Sequence, residues 1–68
     1  MIVKYFKETD TALFEFSSRP VEETREITEN VYVDLDEHGN VVSMTIEHAA
    51  TVAALPTIRL EEIGAPAA

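Results

Sequence analysis

The stretch "VYVDLDEHGNVV", residues 31–42, decides how the chain is read. It offers two readings. Asp34, Asp36 and Gly39 fall at positions 1, 3 and 6 of a calcium loop counted from Asp34. A loop of that kind also needs an oxygen ligand at position 5 and a bidentate carboxylate at position 12. Those positions hold His38 and Thr45, and the flanks alternate like strands rather than helices. The second reading, a β-hairpin, fits better. Val31, Val33 and Leu35 are odd-numbered before the turn, and Val42, Met44 and Ile46 are even-numbered after it. Opposed residues of an antiparallel pair point to the same face, so opposed numbers must sum to an odd value. The loop must then hold an even number of residues unless a bulge intervenes. A loop Asp36–Gly39 closed by Leu35 and Asn40 satisfies this, placing Val33 opposite Val42 and Val31 opposite Met44, with Gly39 supplying a positive φ. A two-residue His38-Gly39 turn is the alternative.

The same alternation extends outward. Strands are expected at 2–6, 12–16, 31–35 and 41–47, and parity allows a four-residue loop Lys7–Asp10 between the first two. Residues 21–28 are polar for a strand, with Thr24, Ile27 and Thr28 favouring β, and read as an edge strand whose charges discourage aggregation. "HAATVAAL", 48–55, suits a short helix that Pro56 should end. "TIRLEEI", 57–63, reads as a sixth short strand or a helical turn, and 64–68 as a frayed tail. The expectation is one α+β domain over 1–63: an antiparallel meander of about five strands with one face covered by a short C-terminal helix.

Composition removes several functions. The 68 residues contain no Cys, which excludes disulfides, thiolate metal sites and thiol catalysis. Thirteen acidic against five basic side chains give a net charge of −8 with no basic cluster, so neither nucleic acid nor an anionic membrane is expected as a partner. No apolar run approaches the roughly 18 residues of a membrane span, and charge at Lys4, Lys7 and Glu8 comes too soon for a signal peptide. A soluble cytoplasmic protein is expected. With only Gly39 and Gly64, no phosphate-cradling loop exists.

A resemblance adds to this. Asp10 through Phe16, Pro20 through Glu26 ("PVEETRE") and the hairpin Val31 through Ile46 are similar to the bacterial family known as domain of unknown function 2283, over residues 3 to about 50. Leu13 departs from it, standing where the family often carries Tyr. The family has no established activity; the resemblance implies an antitoxin-like partner of a small basic toxin.

Candidate site residues are few. His38 sits in a turn and His48 at the strand-to-helix junction. Ser17, Ser18 and Ser43 are the only serines, none in a nucleophile-elbow context. Tyr32, Asp34, Ser43 and Thr45 share one outer strand face, either a polar binding surface or a solvent face. The acidic run Glu22, Glu23, Glu26 and Glu29 reads as solvated. Neither catalysis nor a cofactor is expected, and a protein-interaction module is the first reading. The alternative is a small-molecule- or metal-binding domain, or an enzyme subunit, using Asp34, Asp36 and His48. A core this small leaves Val52, Leu55, Ile58, Leu60 and Ile63 as candidate interface residues for a partner or for a homodimer.

Overall fold

The structure, a computed structural model, describes residues 1–64. The elements are β1 (Ile2–Phe6), β2 (Thr11–Glu15), β3 (Glu23–Thr28), β4 (Val31–Leu35), β5 (Val41–Glu47) and α1 (Ala49–Ala53). The five strands form one antiparallel sheet, with one short helix after it, as the alternation predicts. Residues 65–68, most of the expected tail, lie outside the described residues.

Strand order is β1-β2-β5-β4-β3. The run β3-β4-β5 is consecutive, and the β1-β2 hairpin adds on beside β5, so β2, β5, β4 and β3 have the spatial order of a Greek key. The connection from β2 to β3 therefore crosses the ends of β5 and β4. Its backbone is tied down as it goes: the N–H groups of Phe16 and Ser17 donate to Val42 O (2.9 and 3.2 Å), and that of Glu22 donates to Leu35 O (2.8 Å).

The first hairpin has the expected register, with Phe6 opposite Thr11 across the loop Lys7–Asp10 and Val3 opposite Phe14. The central hairpin corrects the expected one. Leu35 pairs with Val41, so the loop is Asp36–Asn40; a register break follows, and Asp34 pairs with Ser43, Val33 with Met44 and Val31 with Ile46. The cause is a side chain. Asp36 Oδ1 accepts the N–H groups of His38 (2.9 Å) and Asn40 (2.8 Å), and the Asp36 N–H donates to Asn40 O (2.9 Å). The loop closes one residue further on than expected, and a bulge at Val42 restores the facing of every apolar residue beyond it.

Ala12, Phe14, Val31, Val33, Met44 and Ile46 thus form one apolar face through the pairs Ala12–Ile46–Val31 and Phe14–Met44–Val33. Helix α1 covers only part of it. The helix ends at Ala53, short of the expected 48–55, because Ala54 turns left-handed (φ 56°) and the N–H groups of Ala54 and Leu55 both reach back to Ala49 O. Five helical residues span about 7.5 Å, whereas five strands span about 19 Å. The core is accordingly small: Ala12, Ile46, Ala49 and Leu55 form its cluster, with Tyr5, Phe14, Val31 and Met44 against them, and Leu35 and Val42 are buried outside that cluster. No large side chain is fully buried among the described residues.

Residues 57–63 form neither strand nor helix. Ile58, Leu60 and Ile63 are exposed, Leu60 at 94%. The radius of gyration is 14.1 Å, against about 11 Å for a compact chain of this length, as a one-layer sheet with an unpacked C-terminal segment requires.

Burial separates two leucines five residues apart. Leu55→Ala should lower the unfolding free energy by about 2–4 kcal/mol in urea titrations, while Leu60→Ala should leave it within about 0.5 kcal/mol. Equal effects would contradict this core.

Candidate functional site

The residues of the metal reading are not brought together. Asn30 precedes β4 and Asp36 follows it, and His48 Nδ1 lies 3.0 Å from Asn30 Oδ1. His48 and Asp36 therefore sit at opposite ends of a strand about 17 Å long. Asp34 lies on the polar face with both oxygens occupied: Thr24 Oγ1 donates to Oδ1 (2.5 Å) and Ser43 Oγ donates to Oδ2 (2.6 Å). Among the described residues no three His, Cys, Asp or Glu side chains are grouped as a metal site requires.

Two carboxylates instead fasten the fold, and sequence reasoning had given neither that role. Asp10, in the β1–β2 loop at φ 52°, holds the start of α1. Its carbonyl accepts the Ala49 N–H (2.9 Å), while Oδ1 accepts the Ala50 N–H (3.0 Å) and the Tyr5 hydroxyl (2.6 Å). His48 occupies the N-cap position but makes no capping bond, so a residue from the opposite end of the chain does the capping. The Tyr5 hydroxyl and then the Ala50 N–H hold the Asp10 carboxyl below its ordinary pKa, and the same bond raises that of Tyr5.

Asp36 is the second fastener. It is buried, and Arg19 from the crossing connection brings Nε to 2.7 Å from its Oδ2. Oδ2 has no geometrically sound hydrogen bond, so this is a charge contact lying off the N–H axis. The Asn40 N–H first, then the His38 N–H and Arg19, hold the Asp36 carboxyl below its ordinary value. Arg19, Pro20, Glu22, Asp36, Glu37 and His38 line a cleft of about 320 Å³, whose charged floor is already occupied by this ion pair. His38 itself is exposed, with Nε2 3.3 Å from Glu37 Oε1.

The polar face is contiguous as expected: Tyr32 pairs with Thr45 and Asp34 with Ser43. Burial, then the nearby carboxylates of Glu47, Glu26 and Glu29, push the Tyr32 phenol pKa up. Of the candidate interface residues, Leu55 is taken by the chain's own core, whereas Val52, Ile58, Leu60 and Ile63 are exposed.

The family model for a protein of unknown function, DUF2283, matches residues 2–49. The chain belongs to this family. The match spans all five strands and the Asp10 and Asp36 fasteners, and it ends at the first residue of α1. Comparison with curated proteins and with solved structures returns no match.

The acid limb of stability follows from the two fasteners. Both carboxyls titrate lower folded than unfolded, so their contribution is complete above the ordinary value of about 3.9 and is lost as pH falls through the lowered values. Glu23 is also lowered, by Arg25, but that pair is exposed and contributes little. Asp10→Asn and Asp36→Asn should each flatten the fall in urea stability between pH 5 and 2. Retention of the parent slope by both variants would contradict these roles.

Proposed function

We propose that this chain is a protein-interaction module that binds a basic protein through its exposed C-terminal segment and acidic sheet edge. The observation that carries the reading is the run Ile58, Leu60 and Ile63, three large apolar side chains that are all exposed. Burying them against a partner contributes about 1.5–3 kcal/mol each. Fixing the seven backbone units of 57–63 costs about 1 kcal/mol or more apiece. The apolar contact leaves little surplus, so charge must add to it.

The available charge is mostly of one sign. Lys4, Arg19, Arg25 and Arg59 each sit beside a carboxylate (Glu15, Asp36, Glu23 and Glu61), which leaves Lys7 as the one Lys or Arg in no ion pair among the described residues. Four of the thirteen acids are thus matched to a Lys or Arg among the described residues, leaving nine that are not. Glu22, Glu26 and Glu29 lie on or beside the exposed strand β3. A partner bearing clustered Lys or Arg complements this surface and is steered to it. The finer reading is antitoxin-like, the partner being a small basic toxin encoded beside this chain.

Calorimetric titration against the basic protein encoded next to it tests the proposal. Binding should weaken by about tenfold or more between 50 and 300 mM salt, and Leu60→Asp should weaken it by a similar factor without lowering Tm. No binding at low salt, or binding indifferent to both changes, would overturn the reading.

A further inference from the structure

The two edges of the sheet differ in kind. The β3 edge is guarded: Glu23, Arg25 and Glu26 line it, and its register breaks between Glu26 and Thr28. Charges and bulges are what keep a strand edge from pairing. The β1 edge has no bulge and only one charge to guard it. Its register with β2 is unbroken from Ile2 to Phe6, and Lys4 is its one charged residue. Ile2 (56%) and Phe6 (49%) are exposed on either side of Lys4.

We propose that the β1 edge pairs with the β1 edge of a second copy, making a continuous ten-stranded sheet about a two-fold axis through Lys4. This surface is separate from the one that would take a basic partner. Parity selects the register. With the axis perpendicular to the sheet, opposed residues must share a face, so their numbers must sum to an even value. The sum of eight pairs all five residues of the strand: Ile2 with Phe6, Val3 with Tyr5, and Lys4 with Lys4 of the second copy. Val3 and Tyr5 then extend the apolar face across the axis. Ile2 and Phe6 cover each other on the polar face, which accounts for two exposed apolar side chains there. The like charges at the axis are each moderated by Glu15, whose Oε1 lies 3.3 Å from Lys4 Nζ. Five residues a side is a small contact, in the class of weak, concentration-dependent association. Two chains of charge −8 also repel. Salt screens both repulsions, so this association tightens with salt, the reverse of what binding a basic partner would do.

Opposed residues of an antiparallel pair have Cα atoms about 4.5–5.5 Å apart, within disulfide range, and the chain has no cysteine of its own. The test is Lys4→Cys under mild oxidation, with Arg25→Cys on the guarded edge as the control. Lys4 is half-exposed, so the substitution leaves the fold intact, checked by an unchanged Tm. The expected result is a covalent species of twice the 7.6 kDa chain mass for K4C, formed faster at high salt, while R25C stays monomeric. A nitroxide on the K4C thiol should show dipolar broadening that vanishes on dilution with unlabelled protein, which reads the pairing even where strand geometry slows the disulfide. K4C cross-linking no faster than R25C with no broadening would overturn the proposal. So would preferential cross-linking of K4C to E26C, the signature of open-ended β1-to-β3 stacking. Neither result bears on a basic partner, whose binding is read by the salt-sensitive titration.

Discussion

The fold depends on the pairing of β2 with β5, and above all on Ala12 lying opposite Ile46. That pair joins the N-terminal hairpin to the β3-β4-β5 meander, and it is also where α1 and Leu55 come down on the sheet. Ala12 is 0% exposed. A larger side chain there would hold the helix off, because packed interiors admit extra volume only through strain. Asp10, two residues before Ala12, takes up the first two N–H groups of the helix, so one short stretch sets both the strand pairing and the helix position.

From that small core the remaining features follow. A five-residue helix cannot cover a five-stranded face, so the sheet is closed on one side only over its middle strands. Apolar residues outside this cover remain on the surface at β1, on the crossing connection and along 57–63. The polar face is held by side-chain bonds between neighbouring strands, Thr24 to Asp34 and Ser43 to Asp34, and is stable in water as it stands. Exposed apolar side chains also include Phe16 and Val21 on the crossing connection and Ile27 on β3, and the β1 edge and the terminal segment are the places where binding would extend the hydrophobic layer.

Much of this was legible in the sequence because alternation is a local signal. Four of the strands, the loop Lys7–Asp10 and the sharing of a face by Tyr32, Asp34, Ser43 and Thr45 could be read from residue parity, while β3 and its edge position were legible in the β propensity of Thr24, Ile27 and Thr28 and the charges around them. The central register was not, because Asp36 uses its side chain to extend the turn to Asn40, and parity cannot distinguish an even loop from an odd loop with a bulge. The strand order and the Arg19–Asp36 contact were out of reach for another reason: they join residues seventeen apart through a connection with no periodicity. The grouping of Asp34, Asp36 and His48 failed on the same ground, since Asp34 is bound up on the polar face by Thr24 and Ser43 while Asp36 and His48 lie at opposite ends of β4.

The chain's stability resides in the Ala12–Ile46–Leu55 cluster, and 57–63 contributes none of it. Native-state amide hydrogen exchange on the dilute protein tests this most directly. The expected result is the slowest exchange in β2 and β5 and at the Leu55 amide, with no protection from Ile58 to Ile63. Protection of the 58–63 amides comparable to that of β5 would instead mean that the segment is folded onto its own sheet and shares in its stability.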